Sequence, residues 1–452
     1  MDAPFTPMTA QQLYPLYLKH PTICTDTRAI THNCLFFALK GENFDANQYA
    51  EQAIHAGAAY VIIDNVQYQK NDRYILVENT LSALQDLARF HRQRLSIPVI
   101  GVTGSNGKTT SKELINSVLS QHYRTFATHG NLNNHIGVPL SMLSIRPDVE
   151  IAIIEMGANH QKEIDFLCSI AQPSHGIITN IGKAHLEGFG GIEGVMTGKG
   201  ELYAYLKKTK GTAFINQDNP LLLKISRARA LDLEQIIYYG TGLDTYVKGE
   251  SIASLDGDVH QNSSLAVKWQ TTASSGDTTL HTTKSNLTGS YNFENILAAI
   301  CIGHFFGLNT TEINAGIEAY HPTNSRSQVT QTNFNTIICD YYNANPTSVS
   351  VALDNLVNID APNKVIILGD MFELGNESEK EHQIIVQKAN QMMASQRIFI
   401  GEEFYKCKDS VNQFYLSTQE AADVLNKHPI RHATVLLKGS RGMKLERLMG
   451  LL

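Results

Sequence analysis

A glycine-rich decapeptide, Gly-Val-Thr-Gly-Ser-Asn-Gly-Lys-Thr-Thr at 101–110, lies between a short apolar segment and a run with helical periodicity. Such a turn between strand and helix lets backbone N–H groups converge on an anion, and the helix N-terminus and Lys108 add positive charge. The hydroxyl of Thr109 is placed to reach Mg2+. We therefore predict that a nucleoside triphosphate binds at Thr103, Gly104, Ser105, Asn106, Gly107, Lys108, Thr109 and Thr110.

The loop is a variant of the usual P-loop. The standard spacing places a glycine five residues before Gly107, where this chain has Val102, and Gly104 instead lies three residues before it. A glycine-rich surface turn without a ligand is the alternative. The order of strand, loop, Lys-Thr and helix favours phosphate binding.

Three further groups in the same region could do chemistry. Glu155 ends an apolar strand segment, where a carboxylate can coordinate the Mg2+ of a bound triphosphate or simply be solvated. His185 follows a predicted strand at 176–180, and a histidine taken alone is more often a hydrogen-bonded loop residue. Lys199, taken alone, would be a surface lysine, because the glycines around it weaken any helix.

The surrounding segments alternate between strand and helix patterns. Strands predicted at 151–156, 176–180 and 212–216, separated by helical stretches, indicate a mostly parallel α/β sheet of P-loop type. The Ser-, Thr- and Gly-rich stretch 240–290 retains apolar alternation, which favours an antiparallel extension over a disordered linker.

The two ends of the chain form separate α/β patterns. Before residue 98, strands are predicted at 34–39 and 60–63 and an amphipathic helix at 81–95. After residue 320, strands at 336–339, 365–368, 397–400 and 435–437 alternate with helices near 346–358, 377–394, 418–427 and 441–450, the third capped by Ser417 or Thr418. We predict a small α/β domain at 1–97, a central ATP-binding domain at 98–320 and a doubly wound, Rossmann-like domain at 321–452.

Composition narrows the class of protein. The chain has 452 residues, 42% hydrophobic and 18% charged, which suits a folded protein of two or three domains. A net charge of −6 without a basic block argues against nucleic-acid binding. Six scattered cysteines suggest reduced, mostly buried thiols. No apolar run reaches about 18 residues, and no secretion signal is evident, so we expect a cytoplasmic protein without a membrane span.

Four motifs occur in an order that resembles the Mur ligases, which add amino acids to the peptidoglycan precursor. They are Thr-Gly-Ser-Asn-Gly-Lys-Thr-Thr, Glu-Met-Gly-Ala-Asn-His, Asn-Ile-Gly-Lys-Ala-His-Leu-Glu and Gly-Lys-Gly-Glu. Segments 130–139, 340–346, 368–375 and 438–443 resemble the branch that adds D-alanyl-D-alanine. Residues 26–28 and 37–42 extend the resemblance over nearly the whole chain.

The resemblance implies roles around ATP. Lys108 would clamp the β- and γ-phosphates, with Thr109 and Glu155 on a first Mg2+. His185 would serve a second Mg2+, together with Lys199 carrying a carbamate formed from CO2. Asn295 would contact adenine, and Arg326 and Asp340 would meet the nucleotide from the third domain.

The resemblance also implies sites for the other two substrates. The first domain would hold the uridine diphosphate end of UDP-N-acetylmuramoyl-tripeptide, and the third would receive D-alanyl-D-alanine. The predicted substrate-binding residues are Thr27, Arg28, Lys40, Asn134, Asn343, Asn345, Lys438, Ser440 and Arg441. Helix capping at 343–346 and an ordinary turn at 438–442 are the alternatives. We expect a monomer whose domains close to exclude water.

Other functions remain open at this point. A sister ligase that adds the third amino acid usually carries Asp-Asn-Pro in the third domain, whereas here it occurs only at 218–220. A folate polyglutamate ligase would lack segments 340–346 and 368–375. A non-catalytic nucleotide switch would need neither His185 nor Lys199.

Overall fold

Three successive parts of the chain each carry one main β-sheet in the computed structural model. The structure describes residues 7–253, 264–271, 279–322, 326 and 328–452. We refer to the parts, at the predicted boundaries, as the first unit (residues 7–97), the central unit (98–320) and the third unit (321–452).

The first unit has a four-stranded parallel sheet and a short hairpin. The sheet, in the order β1-β2-β5-β6, consists of β1 (Ile23–Cys24), β2 (Leu35–Phe37), β5 (Tyr60–Ile63) and β6 (Tyr74–Leu76), and the hairpin of β3 (Lys40–Gly41) and β4 (Phe44–Asp45). The helices are α1 (Ala10–Lys19), α2 (Ala50–His55) and α3 (Thr80–Arg92).

The central unit has nine strands in the order β15-β14-β13-β12-β11-β10-β7-β9-β8. They are β7 (Val99–Thr103), β8 (Thr125–Ala127), β9 (Ile151–Glu155), β10 (His175–Ile178), β11 (Thr212–Asn216), β12 (Ile236–Gly240), β13 (Val247–Ala253), β14 (Ser264–Thr271) and β15 (His281–Thr288). Strands β7 to β13 pair in parallel, and β14 and β15 extend the sheet in antiparallel fashion. The predicted extension is therefore confirmed, apart from residues 254–263 and 272–278, which lie outside the described part.

Helices cover the central sheet on both faces, so its inner strands read as apolar runs. The helices are α4 (Lys108–Leu119), α5 (Gly137–Leu143), α6 (Glu163–Ala171), α7 (Leu186–Phe189), α8 (Ile192–Lys199), α9 (Glu201–Thr209), α10 (Pro220–Ala228), α11 (Asn292–Phe305) and α12 (Thr310–Ala319). This mostly parallel sheet is the predicted fold class.

The third unit is a doubly wound sheet with one antiparallel edge strand, in the order β16-β17-β21-β18-β19-β20. The strands are β16 (Gln328–Gln331), β17 (Thr336–Asp340), β18 (Lys364–Gly369), β19 (Gln396–Ile400), β20 (Gln413–Tyr415) and β21 (Thr434–Lys438). The helices are α13 (Pro346–Asn358), α14 (Ser378–Asn390), α15 (Glu402–Lys406) and α16 (Thr418–Lys427). Of the two predicted caps of α16, Ser417 and Thr418, the structure has Ser417, which accepts from the Glu420 N–H.

The helix predicted at 441–450 is wrong. The segment forms two short 3-10 turns, Arg441–Met443 and Leu445–Leu448, separated by Lys444 with a left-handed φ of 55°. The carbonyl of Met443 accepts a 2.6 Å hydrogen bond from the hydroxyl of Thr418. A left-handed residue and this tertiary bond stop the turn from continuing as an α-helix.

Helix α3 joins the first unit to the central unit. Its buried apolar residues belong to the same core as those of α5 and α6. Gln85 Nε2 donates to the carbonyl of His135 (3.0 Å), and Arg92 Nε donates to the carbonyl of Ala171 (3.0 Å). Both apolar packing and hydrogen bonds therefore fix this interface.

The structure bears on two expectations from composition, those for the cysteines and for membrane spans. All six cysteines are buried and free. Within the described ranges, each helix is too short or too polar to cross a membrane.

Candidate functional site

The glycine-rich loop connects β7 directly to α4, which begins at Lys108. Gly104 (φ 144°) and Gly107 (φ 75°) adopt left-handed conformations that other residues rarely take. A Cβ at Gly104 would collide with the hydroxyl of Thr179, and one at Gly107 would lie 2.7 Å from Asn295 Oδ1. Both glycines are therefore required by conformation and by space.

The segment after β10 holds the loop from the other side. The N–H of Asn106 donates to Asn180 Oδ1 (3.0 Å), and Thr179 Oγ1 donates to the Asn106 carbonyl (2.5 Å). Ser105 Oγ donates to the carbonyl of Gly182 (3.1 Å). The sequence interpretation missed Asn180 as a site residue, although its place at the end of a strand beside β7 is the signal that could have revealed it.

Lys108 folds back over the loop. Its Nζ donates to the carbonyls of Gly104 (2.8 Å) and Ser105 (3.3 Å). Burial lowers the pKa of Lys108 to about 8. An anion bound at the loop would replace these carbonyls as the partner of the ammonium and favour its charged form.

Oxygen ligands suited to Mg2+ meet beside the loop. Thr109 Oγ1 donates to Glu155 Oε2 (2.9 Å), and Asn133 Nδ2 donates to Glu155 Oε1 (2.8 Å). Glu155 is 1% exposed. A hydroxyl and a carboxylate in contact, next to a phosphate loop, are the donor set that Mg2+ takes with nucleotides, so the residues fit this ion. Asn133, which orients Glu155, was missed.

Lys199 is the last residue of α8 and is 1% exposed, so the alternative of a surface lysine is wrong. The helix forms despite its glycines, and tertiary packing occupies the space beside them: a Cβ at Gly198 would lie 2.5 Å from the Phe189 ring and one at Gly194 would collide with the Phe189 carbonyl. Lys199 Nζ donates to the Ala158 carbonyl (2.9 Å). Burial, and secondarily the charge of Lys108, hold the pKa of Lys199 well below its usual value.

His185 faces the third unit. It has a left-handed φ of 52°, and its Nδ1 contacts Glu373 Oε2. A hydrogen bond from His185 lowers the pKa of Glu373. Glu373 lies within the segment 368–375 but was not predicted as a site residue, because no local pattern indicates a partner in another unit.

Two strand ends of the third unit carry a buried ion pair. Lys438 Nζ, at the end of β21, lies 2.6 Å from Asp340 Oδ2 at the end of β17 and donates to the Asn343 carbonyl (3.2 Å). Asn345 caps α13 and also donates from Nδ2 to Asn106 Oδ1 (2.7 Å). The third unit thus touches the phosphate loop.

Tyr342 lies between two arginines. The guanidinium of Arg326 is 3.9 Å from the centre of its ring and that of Arg441 is 5.5 Å away. Among the described residues, the buried Nε of Arg326 has no hydrogen-bond partner.

One cavity of about 680 Å³ collects most of the predicted residues between the central and third units. It is lined by Ser105, Asn106, Gly107, Lys108, Thr110, Asn134, Glu155, His185, Asn295, Arg326, Asp340, Asn343, Asn345 and Lys438. Asn295 is fixed there by the hydroxyl of Ser111 (2.9 Å). Asn134 accepts from the N–H of Gly137 (2.9 Å), the first residue of α5.

The remaining predicted residues lie outside the lining. Thr103 and Lys199 are buried, Gly104 lies in the loop next to Ser105, and Thr109 lines a neighbouring groove. Ser440 accepts from the N–H of Phe372 (3.0 Å), which does line the cavity, whereas Arg441 lines a neighbouring groove.

The three residues predicted in the first unit are also outside this cavity. Thr27 and Arg28 lie in a 3-10 turn, and Arg28 is paired with Asp26 (2.6 Å). Lys40 is paired with Asp64 (2.8 Å). Their substrate roles remain predictions.

No group of three histidine, cysteine, aspartate or glutamate residues within the described ranges could hold a metal by itself. The expectation of two Mg2+ ions therefore depends on oxygen atoms supplied by a bound nucleotide, and it remains a prediction.

A central sheet with a phosphate loop, facing a doubly wound unit across one cavity, is an arrangement shared with known ligases. The sequence matches the profile of the Mur ligase middle domain over residues 102–303 and that of the Mur ligase glutamate ligase domain over residues 325–441. The chain belongs to the Mur ligase family.

Particular relatives are similar over nearly the full length. UDP-N-acetylmuramoyl-tripeptide--D-alanyl-D-alanine ligase of Bacillus subtilis is 34% identical over 94% of this chain and 92% of that protein. A crystal structure of MurF from Acinetobacter baumannii superposes with a TM-score of 0.84 at 29% identity, over 99% of both chains. MurF from Thermotoga maritima in complex with ADP gives 0.82 at 26% identity, over 96% of this chain and 97% of that one.

Proposed function

We propose that this chain is the ATP-dependent ligase that joins UDP-N-acetylmuramoyl-tripeptide to D-alanyl-D-alanine, giving the pentapeptide, ADP and phosphate. One observation carries the proposal: a single cavity brings the phosphate loop against the Asp340–Lys438 pair of the third unit. The relatives named for this reaction, similar over nearly the whole chain, support it.

The reaction requires an activated carboxylate. A carboxylate does not react with an amine at neutral pH, because its carbonyl is a poor electrophile and its leaving group would be oxide. Transfer of the ATP γ-phosphoryl group forms an acyl phosphate. The amine attacks its carbonyl, a tetrahedral intermediate forms, and phosphate leaves. Catalysis is therefore mainly positioning and neutralisation of the anionic oxygens.

The phosphate loop supplies most of that neutralisation. The main-chain N–H groups at the start of α4 would face the phosphates, whereas those of Ser105 and Asn106 are bonded to Asn180 and hold the loop in shape. Lys108, already held over the loop, supplies the full positive charge. Asn295 and Arg326, on the same cavity, would meet the nucleoside and its phosphates.

Thr109 and Glu155 would hold Mg2+, which neutralises phosphate charge when bound. His185 and Lys199 are our candidates for a second Mg2+. Burial lowers the pKa of Lys199 and so increases the share of the neutral amine, which is the form that adds to CO2 with loss of a proton. A carbamate there would convert a cationic residue into an anionic one.

The third unit would receive the dipeptide. Lys438 and Asn343 lie on the cavity with charged and amide groups suited to a peptide, and Ser440 fixes Phe372 beside them. Arg441 would act from the adjoining groove. Thr27, Arg28 and Lys40 would bind the uridine diphosphate end, and Asn134 the part of the precursor nearer the cavity.

The proposed function bears on the oligomeric state and on the cell compartment of the protein. We also propose that the protein acts as a monomer. ATP and nucleotide-linked precursors are cytoplasmic metabolites, so we place the reaction in the cytoplasm.

The decisive assay combines the protein with ATP, Mg2+, the nucleotide tripeptide and D-alanyl-D-alanine and follows phosphate release. Release should require all four components. Replacing the dipeptide by lysine or diaminopimelate, with the nucleotide dipeptide as acceptor, tests the sister ligase. ADP binding without any turnover would indicate a nucleotide switch.

A further inference from the structure

Lys112 is a buried cation that the mechanism above does not use. It lies on α4, three residues after Thr109, and its side chain is 0% exposed. Its Nζ donates to the carbonyl of Thr128 (2.5 Å) and lies 2.8 Å from Glu113 Oε1. The hydrogen bond to Thr128 joins α4 to the residue that follows the edge strand β8.

Thr128 also contacts Glu155, so it connects Lys112 to that residue. Its Oγ1 accepts a 3.0 Å hydrogen bond from the N–H of Glu155, and its own N–H donates to the carbonyl of Ile153 (3.0 Å). Thr128 therefore holds the main chain of Glu155 from one side, while Val102 of β7 pairs with it from the other. The carboxylate of Glu155 is held separately by Thr109 and Asn133.

A buried lysine at position 112 costs desolvation free energy that an apolar residue would not. Removing an ammonium from water is expensive, and apolar replacements of buried ions are often neutral or stabilising. Ile115, one turn further along the same face of α4, is 0% exposed, so an apolar side chain at position 112 would have an apolar neighbour. Fold stability alone does not explain the charge, whereas fixing the Thr128 carbonyl next to Glu155 does.

We propose that Lys112 is a positioning residue that, through Thr128, holds Glu155 where it and Thr109 meet the Mg2+ of the nucleotide. This inference rests on the proposed function. Residues that orient metal ligands typically change metal affinity by about 10- to 100-fold when removed. Lys112 should accordingly influence Mg2+ dependence more than it influences the affinity for free nucleotide.

The test measures ADP binding by isothermal titration calorimetry over a range of Mg2+ concentrations, with Lys112→Met and Thr128→Val. In both variants we expect the Mg2+ concentration for half-maximal enhancement of ADP binding to rise by about tenfold or more. Thr125→Val is the matched control: its hydroxyl donates to Asn116 Oδ1 (2.8 Å) and also joins β8 to α4, but at the far end of the strand. It should lower the melting temperature without altering Mg2+ dependence.

An unchanged Mg2+ dependence in folded Lys112→Met, with only a lower melting temperature, overturns the inference. If Lys112→Met does not fold, Thr128→Val decides, because it retains the carbonyl that Lys112 contacts and removes the acceptor for Glu155. Wild-type protein that binds no ADP at any Mg2+ concentration would instead refute the proposed function.

Discussion

Asn345 of the third unit donates a 2.7 Å hydrogen bond from Nδ2 to Oδ1 of Asn106 in the phosphate loop. The same asparagine caps α13 by accepting from the N–H of Ser348 (2.9 Å). One side chain therefore both begins a helix of the third unit and contacts the nucleotide-binding loop of the central unit.

Asn345→Ala should lose both the cap and the contact with Asn106. We expect a loss of about 1 kcal/mol in stability from the cap and a three- to tenfold, roughly 1 kcal/mol, loss in kcat/KM for ATP from the missing hydrogen bond. Asn309→Ala is the control, because Asn309 caps α12 in the same way, accepting from the Glu312 N–H (3.0 Å). Equal activity losses in the two variants would show that the contact with Asn106 has no catalytic effect.

Lys199→Ala should reduce turnover by about a hundredfold or more, at least ~3 kcal/mol in the barrier, and leave ADP binding nearly unchanged. The reason is that Lys199 is expected to supply an anionic carbamate rather than to bind the nucleotide. Steady-state phosphate release and ADP calorimetry measure the two effects, with the exposed Lys208→Ala as control. Wild-type turnover that is unaffected in CO2-free buffer would count against the carbamate.

Lys183 and Glu381 form a 2.5 Å ion pair between the central and third units, with Lys183 46% and Glu381 3% exposed. Lys183→Met leaves a buried carboxylate without its cation and should cost about 3 kcal/mol, whereas Glu381→Gln should cost less. In the double variant, the loss in the free energy of unfolding should be smaller than the sum of the two single losses.

Thermal unfolding of the three variants measures this coupling. Lys380→Met breaks an exposed pair with Glu377 (3.1 Å) and should cost less than about 1 kcal/mol. Additive losses at Lys183 and Glu381 would mean that the ion pair does not stabilise the interface.

His175 gives a prediction for pH. Burial against Phe214, Phe305 and Phe306 lowers its pKa from 6.5 to about 4. A lowered histidine pKa means that the unfolded chain binds the proton more tightly, so stability is full above pH 6.5 and is lost as pH falls towards 4.

His175→Phe should remove this component of the acid sensitivity, worth roughly 2 kcal/mol between pH 7 and 4.5. Melting temperatures of the variant and the wild type at the two pH values measure it, with the half-exposed His122→Gln as control. A variant that loses as much stability as the wild type would place the acid-sensitive group elsewhere.

Much of the fold could be predicted because local sequence patterns determine where its strands and helices form. The apolar runs that became β9 and β11 follow from period and propensity alone, and capping preferences reduced the start of α16 to Ser417 or Thr418. The segment 441–450 has helical composition, yet Lys444 is left-handed and the Met443 carbonyl is bound by Thr418 from a distant helix. That tertiary contact has no local signature.

The site divides in the same way. The phosphate loop and Glu155 were predictable, because strand ends of a parallel sheet meet at one edge. The partner of His185 was not, since Glu373 reaches it from another unit. Asn133 likewise reaches Glu155 from the loop between β8 and α5.

The packing of α3 on the central unit has a consequence for how the chain can be divided. Gln85 and Arg92 donate hydrogen bonds to the carbonyls of His135 and Ala171. Cutting the chain at residue 97 would remove both donors and would expose the apolar residues of the central unit that pack against α3. A fragment starting at residue 98 would therefore tend to aggregate. The first unit is therefore packed as part of the same core, and we expect that it can be exchanged only together with the surface of α5 and α6.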